Sequence, residues 1–256
     1  MKSQQHFFKI LVAFLLLIVM AVFLFVDPIV QDLSYHNFAD TREILAISNF
    51  WNVLSNVPYF VVGLWALHKL HIKKSLTLLN EINLAYILLF VGVTLVSFGS
   101  GYYHLDPNNE TLVWDRLPMT IAFMALFSVI LSEFVAVNVG KKLLFPLLVL
   151  GFASVLYWYV TELSGHGDLR SYALVQFLPI LMIPLLLLLF SSSHSHIRGY
   201  WLLLICYLLA KVFEHFDAEI YDLLVVISGH SLKHMVSALG LYFLLSSFEK
   251  REELGK

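Results

Sequence analysis

Between residues 10 and 26 the chain reads ILVAFLLLIVMAVFLFV, seventeen positions without one polar side chain. Further long apolar runs follow at short intervals, over 50–68, 82–103, 112–135, 143–160, 172–190, 200–213 and 223–248. A helix needs about 20 mostly apolar residues to cross the hydrocarbon of a bilayer, whereas a barrel strand needs about 10. Only those two structures satisfy every backbone hydrogen bond in lipid, and run length selects the helix. The expected fold is therefore all-α, a polytopic transmembrane bundle of seven or eight helices with no separate soluble domain. Hydrophobic residues make up 59% of the chain and charged ones 13%. The charges gather between the runs instead of along amphipathic stripes, which excludes a water-soluble globule.

Lys2 and Lys9 flank the start of the first run, so it reads either as a membrane anchor or as a secretory signal. Its length exceeds a usual signal core and DPIVQD after it offers no small-residue cleavage site, which favours the anchor. Residues 1–28 are expected to form this anchor. Residues 29–47, where Phe38 and Ile44 alternate with polar neighbours, are expected to lie at the interface. Seven spans then fill 48–250, with a tail over 251–256. Pro58, Pro118, Pro146, Pro179 and Pro184 fall within or near spans, where prolines kink helices without ending them.

Counting alternate loops sorts the basic residues. Eleven fall on one side (Lys2, Lys9, Lys69, Lys73, Lys74, Lys141, Lys142, Arg198, Lys250, Arg251 and Lys256) and three, Arg42, Arg116 and Arg170, on the other. Cytoplasmic loops retain Lys and Arg, so the first side is cytoplasmic, and eight spans put both termini there. No basic tract suits nucleic acid. Cys206, the single cysteine, has no intrachain disulfide partner and reads as a packing residue.

Ionisable groups inside spans cost free energy and ask for a partner or a task. FGSGYYH places Ser100 and His104 four residues apart on one face at the outer end of a span. LVWDRLPM puts Asp115 at the outer start of the next, and SGHSLKH puts His230 and His234 on one face of the last. The basic-residue topology independently assigns all five to the outer, periplasmic or lumenal, half. Three imidazoles plus a water make an open zinc site of hydrolytic type. Asp115 can then orient or deprotonate that water and Ser100 can stabilise an oxyanion. Each residue also has a plainer reading: a membrane histidine can simply bridge helices, Ser100 can be a packing residue, and Asp115 beside Arg116 can cap a helix or form an ion pair.

Other polar residues carry weaker signals. His166, Asp168 and Arg170, and Glu214, His215, Asp217, Glu219 and Asp222, read as solvated outer loops. Lys211 and Lys233 either snorkel or pair with an acid. Trp51, Trp65, Trp114 and Trp158 fit an interfacial belt. The SSSHSHIRG turn, with His194 and His196, reads as a solvated cytoplasmic loop.

At these positions the chain resembles the alkaline ceramidases, and more distantly the superfamily that includes adiponectin receptors and haemolysin-III-like proteins. The landmarks are FWNVLSNVPYFVVG at 50–63, SGYYH at 100–104, DRLPM at 115–119 and HSLKH at 230–234. The resemblance implies a seven-helix core with zinc held by His104, His230 and His234, and with Asp115 and Ser100 as catalytic residues. It implies hydrolysis of ceramide to a sphingoid base and a fatty acid. The first span is extra to that core, and the YHNFADTRE stretch looks like bacterial members whose substrates differ. Animal alkaline ceramidases carry an acidic calcium-binding segment before the first family helix. The matching stretch here is poorer in acids and leaves Asp40 and Asn49 as candidate oxygen ligands. The leading expectation is a zinc-dependent hydrolase of a ceramide-like lipid amide, in contact with membrane lipids. The alternatives are a receptor or lipid sensor with a structural zinc, a hydrolase of another lipid amide, and a scaffold whose histidines only bridge helices.

Overall fold

The long apolar runs are helical, and polar residues between most of them set where the helices stop. In the computed structural model, residues 2–73, 75–192 and 194–252 are described, with side chains from residue 7 onward. Lys74, the side chain of Lys2 and the tail residues 253–256, Lys256 among them, lie outside the described residues. The helices are α1 (Lys2–Phe25), the short α2 (Phe50–Leu54), α3 (Val57–His68), α4 (Asn83–Leu105), α5 (Asn109–Ile130), α6 (Val137–Leu163), α7 (Arg170–Leu189), α8 (Arg198–His215), α9 (Asp217–Leu224) and α10 (Gly229–Lys250). A π-helical turn extends α3 through Lys73 and another extends α5 through Val135. Described residues contain no strand, so the protein is an all-α polytopic bundle.

Among the described residues six helices are long and apolar enough to cross a membrane, and α8 with α9 makes a seventh if that pair, bent by 79°, is one span. α10, at 22 residues, is long enough to cross but carries His230, Lys233 and His234 among its apolar residues. The apolar run over 223–248 is therefore not one helix. Leu223 and Leu224 end α9, the chain turns through Val225 with φ +62°, and α10 starts at Gly229. Ser228 caps that start by accepting from the Ser231 amide, and a Cβ on Gly229 would lie 2.2 Å from the Phe213 carbonyl oxygen. That contact brings the start of α10 against the last turns of α8. Pro118, Pro146, Pro179 and Pro184 all sit inside helices that continue past them.

α4 packs between α3 and α5, α5 meets α6 and α7, and α10 lies along α8 and touches α3. α1 stands at the edge of the bundle, packed against α7. Phe145, Val149, Phe152 and Val160 of α6 are all more than half exposed, the outward apolar surface of a chain solvated by lipid. At the α4 N-terminal end, buried Glu133 accepts hydrogen bonds from Tyr86, from Tyr200 at 2.8 Å and from Arg251 at 2.8 Å. This cluster ties α4, α5, α8 and the end of α10 together. Arg251 is thus a buried ion-pair partner and not a solvated tail residue. The SSSHSHIRG turn also departs from expectation: His194 is buried, and the His196 carbonyl accepts a hydrogen bond from Ser247.

Candidate metal centre

The end of α4 and the start of α10 meet at the other end of the bundle, bringing His104 together with His230 and His234. All three are nearly inaccessible, at 1%, 5% and 4% exposure. One ligand atom from each lies within 4.8 Å of the others, and among the described residues this is the one such group of three. His104 Nε2 and His230 Nε2 are 3.3 Å apart. Two nitrogens bound tetrahedrally at 2.0–2.1 Å from a zinc ion would be separated by about 3.3–3.4 Å. The donors present therefore fit zinc in type and number, and the His104–His230 pair fits it in spacing.

Surrounding residues hold the rings. Ser55 Oγ lies 3.0 Å from the Asn52 carbonyl and 2.8 Å from His234 Nδ1; donating to the carbonyl, it accepts from the ring. Nδ1 then carries the hydrogen and Nε2 keeps its lone pair free for a metal. His104 Nδ1 is buried without a hydrogen-bond partner, so the polar contact of this ring is made through Nε2, at the centre. The His104 carbonyl accepts from Asn49 Nδ2 at 2.9 Å. Asp217 Oδ1 accepts from the His230 amide at 2.6 Å and Oδ2 from the Ala39 amide at 2.9 Å. Phe38 covers the group, its ring centroid 4.7 Å from that of His104 and 4.5 Å from that of His230.

Beside the triad opens a cavity of roughly 330 Å³ whose wall includes Ser100, Asp115 and His234. From Ser100 the cavity follows α4 down to Leu89, eleven residues or about 16 Å at 1.5 Å per residue. The deep part is walled by Leu126, Ile130, Ile183 and Tyr200 and is apolar. A family model described as Ceramidase matches residues 43–251. The chain belongs to the Ceramidase family. It thereby falls in the ceramidase and adiponectin-receptor-like superfamily, and no curated protein matches it.

In this ceramidase-family chain His104, His230 and His234 form one close group, and of the five residues singled out by their spacing Ser100, Asp115 and His234 line the cavity beside it. Asp115 is not part of the close histidine group and faces the cavity with Ser100 and Lys233 nearby. Asp40 and Asn49 are buried close to the centre, but both Asp40 carboxylate oxygens are held by the Arg42 guanidinium, at 2.6 and 2.8 Å, and Asn49 is spent on the His104 carbonyl.

Several residues lie elsewhere than their loop character suggested. Glu214 is in the cavity wall and pairs with both Lys211 and Lys233, at 2.6 and 2.9 Å. Asp168 is buried against Arg170, and Trp158 is buried beneath Arg116 instead of lying at an interface. His166, His215, Glu219 and Asp222 are exposed. Asn52, Ser55 and Phe38 were not recognisable as site residues from their types. The signal available was their place within or just before the FWNVLSN segment.

Proposed function

We propose that this protein is a zinc-dependent intramembrane amide hydrolase that cleaves a ceramide-like lipid amide to an amine and a fatty acid. The observation that carries the reading is a buried triad with zinc-compatible nitrogen spacing, opening on an apolar cavity lined by a carboxylate and a hydroxyl. His104, His230 and His234 would hold the ion. When bound, zinc supplies a Lewis acid and lowers the pKa of a water to about 7. The apolar cavity takes an acyl or sphingoid chain and excludes bulk water from the amide. Asp115, outside the coordinating group and beside it, takes a proton from the attacking water and returns it to the departing nitrogen. The Ser100 hydroxyl donates to the oxyanion that develops on the carbonyl.

The sorting of eleven basic residues against three supports cytoplasmic termini with the metal centre on the outer side. The peripheral position of α1 supports its role as an added anchor. Calcium bound by Asp40 and Asn49 would have to displace Arg42 from Asp40, so calcium is proposed only as a weak competitor of that ion pair.

The experiment is metal analysis with ceramide hydrolysis on purified protein in detergent. His230→Ala should lose both zinc and activity, and unchanged values for both would end the proposal. Asp115→Asn should keep zinc and lose about 10²–10⁴-fold of turnover, the usual contribution of a general base.

A further inference from the structure

The cavity wall carries more positive charge than its carboxylates balance. Glu214 is one carboxylate shared by two ammonium groups, Oε2 with Lys211 and Oε1 with Lys233. Arg116 has no carboxylate within 4.0 Å among the described residues. Its guanidinium is stacked on Trp158 and Tyr172, with its carbon 4.0 and 4.6 Å from their ring centroids. Its Nη2 donates to the neutral Gln31 side chain at 2.6 Å, and Nη1 has no partner although the residue is only 6% exposed. The remaining wall carboxylate is Asp115, which proton transfer uses.

A buried cation without a counter-charge is costly, and a buried N–H without an acceptor adds to that cost. A neutral ceramide head presents hydroxyls and an amide, which need no excess of cations. An oxyanion satisfies the inventory: guanidinium presents a planar fork to it, and ammonium a point charge. The position is also informative. Lys233 directly precedes His234 on α10, and both line the cavity together with Asp115 and Arg116. An anion held there lies beside the metal centre, at the head of the lipid and not along its tails.

We propose that the lipid bound in this cavity carries an anionic group next to its amide, a phosphate, sulfonate or carboxylate, held by Arg116 and Lys233. As a statement about substrate it rests on the amide-hydrolase reading. As a statement about an anion site it rests on the wall charges alone.

The test uses the zinc-loaded full chain in detergent and two arms. In the first, kcat/KM is measured for a ceramide 1-phosphate and for the neutral ceramide of the same acyl chain. The charged lipid should be favoured at least tenfold. Arg116→Gln and Lys233→Gln should each lower that ratio at least fivefold, and Lys233→Arg should restore it. In the second arm, thermal stabilisation is recorded with dodecyl phosphate, dodecanol and inorganic phosphate. Dodecyl phosphate should stabilise the protein, the other two should not, and both Gln variants should lose the effect. Zinc content reports whether a variant keeps its centre, and Arg116→Gln serves if Lys233→Gln loses zinc.

Equal hydrolysis of the two amides, or a ratio unmoved by both variants, overturns the anion site and leaves the hydrolase standing. Stabilisation by inorganic phosphate equal to that by dodecyl phosphate assigns the site to a free anion and overturns the lipid assignment. Dodecyl phosphate binding that needs Arg116 and Lys233, with neither amide cleaved, upholds the anion site and removes the hydrolase.

Discussion

Ser55 has one proton, and its destination decides which nitrogen of His234 faces the metal centre. The proton goes to the Asn52 carbonyl, so Oγ accepts from His234 Nδ1 and Nε2 is left for the ion. Such outer partners of ligating histidines typically account for 10–100-fold in metal affinity. Ser55→Ala should weaken zinc binding by about that factor in a chelator-competition titration, with Asp115 chemistry intact once zinc is saturating. An unchanged affinity would assign ring orientation to packing by Tyr59. That His230 and His234 share a face could be read from spacing, because residues four apart on a helix do so whatever the tertiary structure. The roles of Ser55, Asn52 and Asp217 could not, because a short polar side chain gives no sign of a partner 179 or 13 residues away.

The segment before α2, expected as interfacial, acts as a strap across the metal centre. His36 donates from Nε2 to Asn109 and accepts from Tyr103 at Nδ1, both at 2.9 Å, which pins the strap to α4 and α5. Its Ala39 amide and Phe38 ring fix it to Asp217 and to the triad. At the α6–α7 loop the same strap meets Asp168 and Arg170: the Leu169 amide donates to the Ile29 carbonyl, and Arg170 Nη1 to Val26 at 2.6 Å. The Arg170 side chain holds the Asp168 carboxyl below the usual aspartate range. A lowered folded-state pKa gives stability that is present above the ordinary value of about 4 and lost as pH falls through the folded value. Thermal melts in detergent should therefore show Asp168→Asn less stable than wild type at pH 7, with the gap closing toward pH 3. A gap independent of pH would trace the effect to shape and not to charge.

At the scale of the whole molecule, two polar clusters terminate one apolar bundle. Tyr86 and His104 stand at opposite ends of α4, eighteen residues or about 27 Å apart. The Glu133–Arg251 pair at the far end has side chains at most 2% exposed, and removing one member of such a pair typically costs about 3–5 kcal/mol. Glu133→Gln should lower the melting temperature markedly while the folded protein keeps its zinc, because the centre lies at the other end. Loss of zinc from the folded variant would mean that the two ends are coupled through α4 and α10.

Hydropathy and spacing by themselves determined the helical class, the approximate spans and which histidines of the last helix share a face, because those properties follow from local periodicity and from the thickness of a bilayer. They placed the last span too early, since the apolar run through Leu223 and Leu224 hides a bend imposed by the contact of Gly229 with α8. Whether an acid near a helix end faces water or a cavity was equally undetermined. Glu214 and Asp222 look alike in sequence, yet one pairs with two lysines in the cavity wall and the other is exposed. Only the tertiary structure decided that, because charge compensation depends on which helices meet across the cavity, and the local pattern of a single helix does not encode its neighbours.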